Sequence, residues 1–217
     1  MREVEVKFRV DPDFDLPDLA ADGALPALDG RRVAARRQGR FTLRATYYDT
    51  EDLRLARAGI TLRRRTGGTD EGWHLKLPTG QEGVREEITW TPATGRTPPA
   101  QLLDLVAARV RQAPVHAVAT VVTTRTSVLL SDGNSAVLAE VADDAVRVMD
   151  GNRVSARFRE VEVEDLGGGT DVLAAVGRVL EAAGAVPGGT DSKLARALGA
   201  RAQAPADPPP PPQAGRD

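Results

Sequence analysis

The sequence predicts an α+β chain, mainly β, whose antiparallel strands carry helices packed outside them. Three observations point there. Segments in which charged and apolar residues alternate recur from the N-terminus to residue 165, the two-residue period of a strand with unlike faces. Two segments, 98–112 and 170–185, repeat their apolar residues at helical spacing instead. Gly67-Gly68 and Asp132-Gly133-Asn134 supply the turn chemistry that joins neighbouring strands.

Composition sets the outer limits. Of the 217 residues 41% are hydrophobic, enough to bury a full core, and a single domain of this length is ordinary for a β-barrel. The 29 basic and 31 acidic residues nearly cancel, so no basic excess points to nucleic acid as a partner. Cysteine is absent, which excludes disulfides and thiolate metal sites. No apolar run is long enough for a signal peptide or a membrane span, so a soluble, cytoplasmic protein without a membrane partner is expected.

The chain opens on Glu3-Val4-Glu5-Val6-Lys7-Phe8-Arg9-Val10. As a strand it puts the four apolar residues on one face and Glu3, Glu5, Lys7 and Arg9 on the other. An edge strand with a solvated outer face would show the same alternation. Later strands repeat it with both signs of charge at regular phase, which suits a face that binds a polyanion through metal ions. Residues 11–30 read as a loop with a short helix over 17–28. Residues 31–49 read as a strand and hairpin, whose Arg31, Arg32, Arg36, Arg37 and Arg40 either grip phosphate or lie in solvent. Asp49 and Thr50 are placed to cap a helix with Glu51 and Asp52 in its first turn and Gly59 at its end.

In the strand 60–65, Arg63 and Arg65 lie opposite Leu62. In 73–77, His74 and Lys76 share a face, and His74 is read as a packed or hydrogen-bonded strand residue because no second His stands at ligand spacing. In 84–90, Arg85, Glu87 and Thr89 oppose Val84, Ile88 and Trp90, leaving Glu86 to solvent. The helix 98–112 packs through Leu102, Leu105, Val106 and Val110. A Val- and Thr-rich strand over 115–130 holds one charge, Arg125. The strand 136–144 aligns Leu138, Glu140, Ala142 and Asp144, and strands at 146–149 and 154–165 close the set. Glu160, Glu162 and Glu164 share a face, where they repel one another unless water, bound cations or neighbouring Arg and Lys neutralise them. The helix 170–185 packs through Val172, Ala175, Val176, Val179 and Leu180 and stops at Gly184, and 190–194 opens another short helix. Beyond Gly199, Ala, Gln and the run Pro208–Pro212 predict a disordered tail.

Four elements, in order, carry a resemblance. Glu3, Glu5 and Lys7 form an ExExK pattern, 47–50 a Tyr-Tyr-Asp-Thr corner, 62–65 a Leu-Arg-x-Arg strand, and Leu75-Lys76 ends the next strand. Together they resemble the CYTH superfamily of triphosphate tunnel metalloenzymes, which holds inorganic triphosphatases, thiamine triphosphatases and class IV adenylate cyclases. Lys193 is similar to the Ser-Lys element that closes the family's domain. The resemblance covers residues 1–199 and implies one tunnel domain there, an antiparallel eight-stranded barrel with its charged faces inward and helices outside, followed by a tail or linker over 200–217. In related chains a helical CHAD domain often follows such a linker, and none is expected within this sequence.

What the resemblance implies for chemistry is a metal-dependent hydrolase of inorganic triphosphate or a related triphosphate compound. Lys7, Arg63, Arg65, Lys76, Arg85, Arg125 and Lys193 become the expected phosphate clamps. Glu3, Glu5, Glu160, Glu162 and Glu164 become the expected ligands of Mg2+ or Mn2+, and periodicity does not choose among the last three. Glu87, Glu140 and Asp144 complete an acidic lining, and Glu5, Lys7, Lys76 and Glu162 form the expected catalytic group. Inorganic triphosphate, a nucleoside triphosphate, thiamine triphosphate and polyphosphate all remain open as substrates, and a homodimer is left open. The alternatives are a non-catalytic polyphosphate-binding module and a class IV adenylate cyclase. Two intact carboxylate clusters favour the enzyme.

Overall fold

Strands with one apolar and one charged face must bury the first without sealing the second in hydrocarbon, and this chain does so by closing its sheet on itself. The computed structural model describes residues 1–21, 23–26, 33–91, 95–189 and 191–203. Its strands are β1 (Arg2–Val10), β2 (Ala34–Asp49), β3 (Thr61–Thr66), β4 (Gly72–Pro78), β5 (Val84–Trp90), β6 (His116–Ser131), β7 (Val137–Asp150) and β8 (Arg153–Asp165). They form an antiparallel ring in the order β1–β5–β4–β3–β2–β6–β7–β8 and back to β1. Closure is short: Arg2, Glu3 and Val4 pair with Glu86, Arg85 and Val84. Further along, Phe8 and Arg9 pair with a two-residue strand, β9 (Val186–Pro187).

The helices cover the outer face. In α3 (Gly169–Ala182), Val172, Val176 and Leu180 pack on Phe8, Val141, Val161 and Val163. In α2 (Ala100–Val110), Leu102, Val106 and Val110 pack on Leu62, Trp73 and Leu75, each such side chain contributing roughly 1.5–3 kcal/mol. Leu105 does not join them: it is 56% exposed, one position off this stripe of every fourth residue. Among the described residues no helix is long and apolar enough to cross a membrane.

A third apolar cluster departs from the expected layout because it lies inside the ring. Ala45, Tyr47, Val121 and Val146 have the same strand phase as the interior charges, and Leu194 of α4 (Lys193–Leu198) packs among them. Part of the interior beside α4 is therefore apolar, and Ala45, Tyr47 and Val121 also border the charged cavity that occupies the remainder.

Other local expectations change for identifiable reasons. The described part of 17–28 forms turns, not a helix, because Asp18 bonds the Ala20 and Ala21 amides through its side chain and carbonyl. Residues 34–49 make one strand with a bulge between Arg37 and Arg40, while Arg31 and Arg32 lie outside the described residues. The strands read at 136–144 and 146–149 merge into β7, whose alternation continues through Ala145. The helix after the Tyr-Tyr-Asp-Thr corner is α1 (Arg54–Arg57), preceded by Leu53 at φ 60°, so Glu51 and Asp52 stay in the turn before it. The buried Asp49 carboxylate accepts from the amides of Thr50, Leu55 and Ala56 at 2.7, 2.9 and 2.8 Å, and Thr50 Oγ1 accepts from Arg54 N at 3.1 Å. A 3-10 helix spans Gly199–Gln203, and residues 204–217, with the Pro208–Pro212 run, lie outside the described residues.

Candidate active site in the interior of the ring

Cross-strand register arranges the interior charges in rows. Glu5 of β1 stands opposite Glu164 of β8, which stands opposite Glu140 of β7. Lys7 is opposite Glu162 in the next row. Two residues further, Glu160 is opposite Asp144, and Asp144 is opposite Arg125 of β6. These rows border a cavity of about 350 Å³ that also receives Glu3, Arg63, Arg65, Lys76, Arg85, Glu87 and Lys193. Every residue expected at the site lines it except Glu160, which is 2% exposed behind Lys193 and paired to Arg196.

Around Lys193 the charges are locked. Ser192 caps α4 by accepting from Ala195 N at 3.0 Å, and the Lys193 ammonium reaches Asp144, Glu160 and Glu162 at 2.9, 2.8 and 2.8 Å. Arg125 grips Asp144 through Nε and Nη2 at 2.8 and 2.7 Å and touches Glu162 at 3.0 Å. Lys7 Nζ lies 3.1 Å from Glu5 and 2.9 Å from Glu162. Burial alone would discharge Lys193, Arg125 and Lys7, yet the carboxylates around them raise all three above their ordinary values. Burial likewise opposes the Glu162 charge, and Lys193, Lys7 and Arg125 override it, holding Glu162 well below the usual carboxylate range.

On β3 and β4 the cations are less well matched. The Nε atoms of Arg63 and Arg65 are buried without a hydrogen-bond partner among the described residues. The Arg63 guanidinium approaches Glu87 only to 3.9 Å. Arg65 pairs with Asp70 of the β3–β4 loop, and burial together with the charges of Arg63 and Arg125 lowers its pKa to about 9. Lys76 donates to Glu3 and lies 4.0 Å from Glu87. Burial would raise Glu87, but its bond from His74 and the charges of Lys76 and Arg63 bring it to about 2. Arg85 reaches the Gly59 carbonyl at 2.9 Å.

Carboxylates concentrate where β1, β8 and β7 adjoin. Glu3 Oε2 is buried with no hydrogen-bond partner among the described residues. Burial and the charges of Glu3, Glu5 and Glu140 push Glu164 up to about 7, although Lys76 opposes this. An unsatisfied carboxylate oxygen beside mutually repelling acids fits a hard divalent cation with oxygen ligands. Asp144, Glu160 and Glu162 also bring carboxylate oxygens within 4.8 Å of one another and could hold an ion, but the Lys193 ammonium already reaches all three. The five residues read as metal ligands thus divide: Glu3, Glu5 and Glu164 border the acidic corner, whereas Glu160 and Glu162 belong to the Lys193 network.

Several site residues were not singled out by the sequence reading. His74 is hydrogen-bonded as expected, with Nδ1 2.8 Å from Glu87 and Nε2 2.9 Å from the Asp70 carbonyl, but it also lines the cavity. Its phase with Lys76 was the available signal. Arg196 stands three residues after Lys193, which puts both on one face of α4. Asp70 carried no signal, because a loop has no periodicity.

Residues 1–198 match the model of the CYTH domain. The chain belongs to the CYTH family. The uncharacterized proteins MT2285 and Rv2226, from two strains of Mycobacterium tuberculosis, are each 38% identical to it over 95% of its length. This CYTH chain spans 43% of the length of each of those relatives. Among solved structures, a candidate adenylate cyclase from Bacillus halodurans superposes with a TM-score of 0.57 at 17% identity, covering 89% of this chain and 96% of that one. A candidate adenylyl cyclase from Hippeastrum, described as having a dominant triphosphatase activity, superposes with a TM-score of 0.50 at 18% identity over 89% and 93% of the two chains. At these identities the likeness establishes a shared CYTH fold.

Proposed function

We propose that this CYTH domain is a divalent-metal-dependent triphosphatase that binds the phosphate chain of inorganic triphosphate, or of a related compound, inside the ring. The observation that carries the reading is the contrast between two walls of one cavity. On one wall the buried guanidinium groups of Arg63 and Arg65 keep Nε donors without acceptors, and on the other the Glu3 carboxylate keeps an oxygen without a donor. A phosphate chain supplies the missing acceptors, and a cation on the acidic side supplies the missing positive charge.

Each side chain then has a task. Arg63, Arg65 and Lys76 bind phosphate oxygens, the two guanidinium groups in bidentate fashion, and Arg125, whose Nε and Nη2 hold Asp144, adds its charge beside them. Lys7 and Lys193 stay ionised in their carboxylate cages and add positive charge along the chain. Glu162 remains an anion that positions both of them and Arg125. Glu3, Glu5 and Glu164, with Glu140 beside them, would hold Mg2+ or Mn2+, which when bound neutralises phosphate charge and lowers the pKa of the attacking water. Hydrolysis adds that water to a terminal phosphorus and breaks a P–O bond of the anhydride. The rest of the chain departs with the bridging oxygen and its electron pair, the arginines meet its charge, and the attacking water gives up its proton to solvent.

The triphosphatase activity described for the Hippeastrum protein makes the first assay a direct one. Orthophosphate release is measured from tripolyphosphate, ATP and thiamine triphosphate, with Mg2+, with Mn2+ and with chelator. Metal-dependent release from at least one compound is expected. Pyrophosphate with cyclic AMP as the ATP products would replace hydrolysis by cyclisation.

A further inference from the structure

We propose that a second basic cavity, beside α4 at the end of the ring, binds the far phosphates of a chain whose near end lies in the interior, making the preferred substrate a linear phosphate chain longer than triphosphate. This rests on the interior being a phosphate-chain site. The second cavity, of about 790 Å³, is bounded by the end of β1, the end of α1 and one side of α4. Arg9, Arg57, Arg85 and Arg196 line it, against the single carboxylate of Asp191.

Arg196 is engaged by Glu160 and stacks on Phe158, so its charge is already met. Arg9 and Arg57 are different. Arg9 reaches only the Gly188 carbonyl, at 3.3 Å, and neither residue forms an ion pair among the described residues. Arg57 Nε has no hydrogen-bond partner among the described residues. A charged donor left without an acceptor on a cavity wall is costly unless an anion occupies the cavity.

The two cavities are adjacent. Thr61, Arg85 and Ser192 line both, so cationic groups continue from the interior through Arg85 to Arg57 and Arg9. A nucleoside or a thiazolium group projecting this way would bring no anion to those guanidinium groups. A linear phosphate chain carries an oxyanion on every unit, which matches a path of cations.

Arg9→Gln and Arg57→Gln, singly and together, test this by calorimetric titration with tripolyphosphate, long linear polyphosphate and orthophosphate. Neither residue borders the interior cavity. The double variant is expected to bind tripolyphosphate as the parent does and long polyphosphate about tenfold more weakly. Arg9 is exposed at the end of its strand, so the single Arg9→Gln protein shows the same selective loss if the double variant does not fold. Unchanged affinity for the long chain overturns the proposal, as does an equal loss for both chain lengths or a loss confined to orthophosphate. A parent protein that fails to bind tripolyphosphate, yet loses long-chain binding with these substitutions, would instead discard the interior reading and keep the second cavity.

Discussion

Glu5 and Glu164 face each other directly across β1 and β8, and Glu164 makes no ion pair among the described residues. Like charges directly opposite on a sheet destabilise it. Burial and its acidic neighbours hold the Glu164 pKa at about 7, above the ordinary 4.5. Between those values the folded protein keeps a proton that the unfolded chain releases, so with divalent ions chelated stability falls as pH rises through this window. The fall should reach about 2 kcal/mol after allowance for partial solvent screening. Burial and the charges of Arg63 and Arg65 lower the His74 pKa, which adds a slope of opposite sign in the neighbouring range, so the Glu164 contribution is read as the difference in denaturant-measured stability between the parent and Glu164→Gln as pH rises.

Arg63 and Arg125 should separate binding from folding. Arg63 meets Glu87 only at 3.9 Å and is otherwise bonded to the Tyr47 side chain, so Arg63→Ala should weaken tripolyphosphate binding by about 1.5–3 kcal/mol with a smaller stability loss than Arg125→Ala. Arg125 clamps the fully buried Asp144, which Lys193 would then neutralise alone. Arg125→Ala should weaken binding similarly and also destabilise the fold, by about 1–3 kcal/mol. Calorimetry and thermal melts on both variants would show this split, and equal stability losses would contradict it.

Leu194 anchors α4 inside the ring at 1% exposure. Leu194→Ala should cost about 2–5 kcal/mol in equilibrium unfolding because the apolar cluster cannot collapse around the cavity it leaves. It should also weaken tripolyphosphate binding, since Lys193 is the adjoining residue of the same turn. Stability loss without any binding loss would mean that Lys193 is held independently of the cluster.

The parts of the site readable from sequence were those where charge marks the face. In β1 and β8 every second residue over several positions is Glu, Lys or Arg, so phase put Glu3, Glu5 and Lys7 on one face and Glu162 and Glu164 on another, and the family resemblance implied that those faces turn inward. The apolar cluster inside the ring was not readable, because Ala45, Tyr47, Val121 and Val146 have interior phase but the residue types of an outer face. Only the insertion of α4, a contact between distant parts of the chain, explains them. Glu160 was placed on the correct face, yet its partner Arg196 comes from that same insertion, and phase could not reveal that it is sealed behind Lys193. In the described part of 17–28 turns stand where a short helix was expected, because the local bonding of Asp18 and the φ of 77° at Gly23 favour them.

The most direct test of the central claim is tripolyphosphate hydrolysis and equilibrium binding, measured on the parent and on Glu5→Gln with Mg2+, with Mn2+ and with chelator. Glu5 borders the acidic corner, and the amide keeps its shape while removing the charge that would hold a divalent ion. The account predicts metal-dependent turnover in the parent, abolished by chelator, and turnover about a hundredfold lower or less in Glu5→Gln with the protein folded and tripolyphosphate still bound through the arginines. Turnover in the parent that chelator leaves unchanged, or parental turnover in Glu5→Gln, would contradict it.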